Sequence, residues 1–196
     1  ASGQAALLSR KLGLLEWDTH FNNLAVYGYF RNARHLDSPN DGNIFIEAFE
    51  HGWLWKIPLH IGMDSVGAVV DKDVAHERLR ELGSDGFLLK QIEDAPHVSE
   101  LLENAELVGE SKVVRDWSYK STQFSGDGYI LVGDAACFVD PLFSSGVHLA
   151  LGSASLASTY VQTVLKDPSS RSQADQTYRD IYEKQYQYFH LTAQLF

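Results

Sequence analysis

Tyr129-Ile130-Leu131-Val132-Gly133-Asp134-Ala135-Ala136, followed by Asp140-Pro141-Leu142-Phe143-Ser144-Ser145-Gly146-Val147, is the stretch on which the fold turns. Four apolar residues in a row at 129–132 predict a short strand buried on both faces. Gly133 allows a ligand to approach the backbone closely, and Asp134 offers a carboxylate to sugar hydroxyls. Pro141 stiffens the loop. Ser144, Ser145 and Gly146 then present amides at the start of a helix expected near Val147, where amides and helix dipole favour an anion. Val147, Leu151, Ala154, Val161 and Leu165 recur at helical spacing and predict that helix's apolar stripe. Asp167-Pro168 ends it. Its small residues, among them Ala150, Gly152, Ser153 and Ala157, predict close packing against a sheet or a ligand. Taken alone, the same residues also fit an ordinary strand–turn–helix unit without a ligand.

Upstream the periodicity changes to that of strands. Val26, Tyr27, Tyr29 and Phe30 predict one strand, and Asp37-Ser38-Pro39-Asn40-Asp41-Gly42 a turn. Strands at 43–49, 53–61 and 66–70 follow, with Pro58 marking an edge or an end, and together they predict an antiparallel meander. Trp53 and Trp55 stand two residues apart, so their indoles share one face. They fit equally a pair of core aromatics. Lys56 is expected to snorkel to water. Next come a helix capped by Asp73, with Ala75, Leu79 and Leu82 inward and Gly83 at its end, and a second starting at Asp94-Ala95-Pro96 with Val98, Leu101, Leu102 and Ala105 inward. Another strand is expected at 113–120. Residues 7–12 predict a short helix closed by Gly13. The tail from Gln173 is helical in character, with Tyr178, Ile181, Tyr182, Tyr186 and Phe189 as its apolar side.

Composition bounds the function. The 196 residues are 44% hydrophobic and 12% aromatic, as expected of a globular chain with a real core. With 26 acidic against 16 basic residues and a net charge of -10, neither nucleic acid nor an anionic membrane surface is an expected partner. The single cysteine, Cys137, excludes a disulfide framework and a cysteine-based metal site and reads as a small buried hydrophobe; no metal is expected. No apolar run reaches the ~18 residues of a membrane span, and no signal peptide is visible, so a cytoplasmic location is the default expectation.

Gly133-Asp134-Ala135-Ala136, Asp140-Pro141 and Ser145-Gly146 opening a helix resemble the second FAD-binding motif of the flavin monooxygenase superfamily. Trp53-Leu54-Trp55-Lys56-Ile57-Pro58 resembles the Trp-x-Trp-x-Ile-Pro signature of flavin-dependent halogenases within it. Ala1-Ser2-Gly3-Gln4 is similar to the tail of a further flavin-site segment, Asp-Ala-Ser-Gly, so the resemblance runs from residue 1 to about 190. It implies a mixed α/β (α+β) fold. Residues 1–22 and 121–170 would be part of an FAD-binding domain, 23–120 a substrate domain with a mostly antiparallel sheet, and 171–196 the start of a C-terminal helical region.

The resemblance also implies roles. Ser2, Gly3, Gly133, Asp134, Pro141, Ser144, Ser145, Gly146 and Val147 would hold FAD, with Asp134 on the ribityl chain. The Ser145 and Gly146 amides would hold chloride or bromide. Trp53, Trp55 and Pro58 would keep the organic substrate off the flavin. A separate flavin reductase would supply reduced FAD. Oxygen would give a flavin hydroperoxide, halide would take up its distal oxygen, and hypohalous acid would pass to a lysine and then to an electron-rich ring, as in secondary metabolism such as antibiotic biosynthesis. That lysine and the family's Gly-x-Gly-x-x-Gly turn are not in this sequence, so an internal fragment, inactive by itself, is expected. Phe143 and Ser145 stand where halogenases of free tryptophan usually carry glutamate and threonine. This variant resembles those acting on phenols or on rings tethered to a carrier protein. Two rivals are an FAD-dependent aromatic monooxygenase that hydroxylates and a remnant of the fold without chemistry.

Overall fold

A computed structural model describes residues 2–115 and 117–195; Ala1 of the N-terminal motif lies outside them. In chain order the elements are α1 (Leu7–Lys11), β1 (Leu15–Trp17), β2 (Asn23–Arg31), β3 (Phe45–Phe49), β4 (Gly52–Pro58), β5 (Asp64–Asp71), α2 (Lys72–Glu93), α3 (Pro96–Leu101), β6 (Glu106–Arg115), β7 (Tyr119–Ser121), β8 (Ser125–Gly126), β9 (Tyr129–Ile130), β10 (Cys137–Phe138), α4 (Ser145–Lys166) and α5 (Arg171–Ala193). They form a mixed α/β fold in two compact units, residues 22–116 and residues 1–21 with 117–196.

The unit at 22–116 is a five-stranded sheet in the order β3-β4-β5-β2-β6, antiparallel throughout. One face carries Leu24, Val26, Phe30, Leu54, Val66, Ala68 and Val70. Phe87, Leu88, Ile92 and Val98 from α2 and α3 close over it as one core. One sequence expectation changes here. The cap of α2 is Asp71, whose carboxylate accepts the Asp73 amide at 2.8 Å. Gly83, at φ 67 and ψ 177, interrupts the helical path as expected, and a further helical segment follows it within α2 and supplies Phe87, Leu88 and Ile92.

Lys56 also departs from expectation. It is only 2% exposed, and its Nζ donates to Asp64 Oδ1 at 2.6 Å. Leu54, Lys56 and Pro58 share the helix-covered face of β4, so no route to water is open to the lysine stem. Asp64, at the start of β5 and itself buried, neutralises it, and His35 Nε2 lies 3.4 Å from the other carboxylate oxygen.

The second unit has a small antiparallel sheet, β1-β7-β10, and a two-stranded β8–β9 hairpin. The expected strand at 129–132, buried on both faces, is instead the two-residue β9. It pairs only with Ser125–Gly126, and both its residues are half-buried. Helix α4 begins at Ser145, and its buried face is Ser145, Leu149, Ser153, Ala157 and Tyr160 rather than the apolar stripe. Val147, Leu151 and Leu165 are 71%, 69% and 77% exposed. The small face goes inward because only short side chains let the helix approach the turn at Gly133. Tyr178, Tyr182 and Tyr186 of α5 are buried as expected; Ile181 is exposed. Among the described residues no helix is long and apolar enough to cross a membrane.

Replacing Lys56 by methionine strands the Asp64 carboxylate in the core, and urea denaturation is expected to record a loss of about 3–5 kcal/mol. The double variant Lys56→Met/Asp64→Leu should recover most of that loss.

Candidate functional site

The turn at Gly133–Asp134 is pinned from several sides. Gly133 adopts φ 56, a left-handed conformation that favours glycine. Its N–H donates to Ser153 Oγ at 3.0 Å, and that hydroxyl donates on to the Leu149 carbonyl at 2.6 Å. The Tyr182 hydroxyl donates to the Gly133 carbonyl (3.1 Å), Tyr119 to the Asp134 carbonyl (2.5 Å) and Tyr178 to the Leu131 carbonyl (2.7 Å). Burial pushes all three phenols far above their ordinary range, so they stay neutral donors. A Cβ on Gly133 would come 3.0 Å from Ala150 Cβ, so turn and helix touch backbone to side chain. With the Leu131, Gly133 and Asp134 carbonyls thus engaged, the Asp134 side chain is left to be presented. Burial raises its carboxyl pKa.

The start of α4 adjoins it. A Cβ on Gly146 would meet the Phe138 ring at 3.1 Å and lie 4.0 Å from Asp134 Oδ1. Ser144 caps the helix in a left-handed conformation (φ 51) without bonding its hydroxyl to the helix amides, and no acidic residue occupies the first turn. The first amides therefore keep their capacity for an anion. Ser145 is buried, Pro141 half-buried, and Ser144 and Val147 exposed. Gly3, at φ 52, opens a 3-10 turn, Gly3–Ala5, that lies against the Gly133–Ala135 turn, and Ser2 Oγ accepts the Leu7 amide at 3.0 Å. All the sequence-predicted binding residues thus belong to this unit.

The tryptophans belong to the other unit. Trp53 and Trp55 share the face of β4 opposite Leu54 and Lys56, ring centroids 5.8 Å apart and planes inclined at 49°. Trp53 is buried and Trp55 half-buried. Tyr27 continues the aromatic row, 6.1 Å from Trp55. Pro58 ends β4 opposite Asp64, and the chain turns back through a Leu59 N–H bond to the Met63 carbonyl. Among the described residues no group of three or more His, Cys, Asp or Glu could hold a metal ion.

The profile of the tryptophan halogenase family matches residues 1–194. This chain belongs to the tryptophan halogenase family. Its curated relatives include sulochrin halogenase gedL of Aspergillus terreus, 38% identical over 89% of this chain and 33% of the relative. Flavin-dependent halogenase rdc2 of Metacordyceps chlamydosporia is 34% identical over 98% of this chain and 39% of the relative. The chain thus spans a third or a little more of their length. Among solved structures it is similar to the myxobacterial chondrochloren halogenase CndH, described as a variant of FAD-dependent halogenases. The TM-score is 0.87 at 40% identity, covering 94% of this chain and 43% of that one.

Sequence reasoning missed what holds the halogenase-family turn. Tyr178 and Tyr182 showed as apolar positions at i, i+4 spacing, but nothing local says which carbonyl a phenol will find 49 residues away. Ser153, read only as a small residue, is the acceptor for Gly133.

Tyr182→Phe removes one of two donors to the Gly133 carbonyl, which keeps the Ala136 N–H; a loss of about 0.5–1.5 kcal/mol is expected in urea denaturation. Cys137 is buried, and burial pushes its thiol up to about 12. A thiol-reactive disulfide reagent at mildly alkaline pH should therefore leave it unmodified in the native protein and label it fully once unfolded.

Proposed function

We propose that the full-length protein is a flavin-dependent halogenase that uses FAD and chloride or bromide to halogenate an electron-rich aromatic ring. The observation that carries this reading is the pair of indoles side by side on one face of β4, in a chain of this family. A hydroxylase has no need of such a wall, because its organic substrate must reach the flavin.

The residues fit FAD. Asp134 is the acceptor for ribityl hydroxyls, held by a turn whose Gly133 and Asp134 carbonyls are already engaged. Gly133 and Gly146 let the turn and the helix start pack against Ala150 and Phe138, which keeps the Asp134 carboxylate beside the first turn of α4. Ser2 and Gly3 lie against the same turn, and Pro141, Ser144 and Val147 line the approach to α4. The Ser145 and Gly146 amides are the halide site, favoured by the helix dipole. When bound, reduced FAD with oxygen supplies the oxidising equivalent that turns halide into hypohalous acid. Trp53 and Trp55, with Pro58 ending their strand, keep the ring away while that happens.

A separate flavin reductase supplies the reduced cofactor. The loop Leu142-Phe143-Ser144-Ser145 favours a phenol or a carrier-tethered ring over free tryptophan. Secondary metabolism in the cytoplasm is the setting this reading assigns.

The test supplies the full-length protein with reduced FAD, oxygen, bromide or chloride, and a panel of phenols and carrier-bound rings, and reads product masses. A halogen isotope pattern that follows the supplied halide is expected. Addition of one oxygen regardless of halide would make the protein a hydroxylase. Asp134→Ala should weaken FAD binding by about 1.5–3 kcal/mol, the usual value for a hydrogen bond to a charged group, in a fluorescence titration.

A further inference from the structure

Trp55 is held from the neighbouring strand by two contacts of different kinds. Its indole Nε1 donates to Ser65 Oγ at 3.2 Å. Gly67 stands directly opposite it in the β4–β5 ladder. A Cβ there would come within 2.3 Å of the indole Cζ2 and 2.6 Å of Tyr27 Cβ. The indole therefore lies flat across bare backbone of β5, reaching toward Tyr27, with Trp53 on its other side. Any side chain at 67 would lift it off the sheet.

The other face of the two strands carries a matching tie. Trp55 opposes Gly67 and bonds two residues back, to Ser65; Lys56 opposes Val66 and bonds two residues back, to Asp64. The two diagonals have the same offset on opposite faces. A slip of one residue would turn the tryptophans inward and the lysine outward, and a slip of two would break both ties.

We propose that Ser65 and Gly67 are positioning residues that set the pose of Trp55, and that the buried Lys56–Asp64 pair holds the register in which they do so. The inference rests on the reading of the tryptophan pair as a wall between substrate and flavin. A wall excludes a ring only if its own rings cannot swing, and a half-buried indole on a strand is fixed by what lies beneath it and what its N–H finds.

Two readouts on the full-length protein separate the seat from the wall. Two close, inclined indoles couple as excitons and give a two-signed band in far-ultraviolet circular dichroism, measurable without flavin; Trp53→Phe assigns it to the pair. Gly67→Ala is expected to abolish the band, Ser65→Ala to weaken it, and Ser65→Thr, which keeps the hydroxyl, to retain it. The second readout is halogenated product against hydrogen peroxide released per reduced FAD consumed. It should fall several-fold in Gly67→Ala and Ser65→Ala and recover in Ser65→Thr, with FAD affinity unchanged. If Gly67→Ala does not unfold cooperatively, the two Ser65 variants decide. A wild-type band in Gly67→Ala and Ser65→Ala overturns the proposal. A lost band with an unchanged product ratio establishes the seat and overturns the reading of Trp55 as a wall.

Discussion

The pairing of β4 with β5 in a single register is the constraint on which the sheet unit depends, because both faces of β4 are committed. Side chains alternate along a strand, so fixing the strand fixes two sets at once. Leu54 and Lys56 go under the helices, and Trp53 and Trp55 go to the other side. The inward lysine is a liability unless its charge is matched, and Asp64 meets it at 2.6 Å. A buried ion pair adds little net stability over an apolar pair, but it penalises every arrangement that separates its members. Here such a separation would also displace the indoles.

The other unit uses a different device for a similar end. The turn at Gly133–Ala135 has no strand ladder of its own, yet its backbone polar groups need partners. Tyrosine hydroxyls from β7 and α5 donate to the Asp134 and Gly133 carbonyls, and Ser153 of α4 accepts the Gly133 N–H. The turn is thus held firmly, with Gly133, Ala135 and Ala136 buried and Asp134 half-buried. The same demand explains the inverted helix α4: Ala150 and Ser153 meet the turn, while Val147, Leu151 and Leu165 are exposed.

Much of this could be read in the sequence. Period-two alternation with turn residues between identified the antiparallel strands, and the shared face of Trp53 and Trp55 followed from counting by two. Three features escaped for physical reasons. The run at 129–132 is apolar because Leu131 is a core residue and Tyr129, Ile130 and Val132 pack at its margin, not because a long strand passes there. Lys56 looked like a surface lysine because its partner lies eight residues away on the next strand. In α4 the apolar stripe was legible but the buried side was not, since close approach selects small residues whatever their polarity. Gly67 and Ser65 carried no signal at all until the ladder placed them opposite Trp55.

The measurement that tests the central claim most directly follows labelled oxygen. The full-length protein would turn over an accepted aromatic substrate with chloride, reduced FAD and oxygen-18 gas, and the product would be weighed. A halogenase leaves both atoms of oxygen in water, so the product is predicted to gain chlorine and no heavy oxygen. One heavy oxygen in the product, with no chlorine, would contradict the account: the ring would then have reached the flavin, and the two tryptophans would be core aromatics and nothing more.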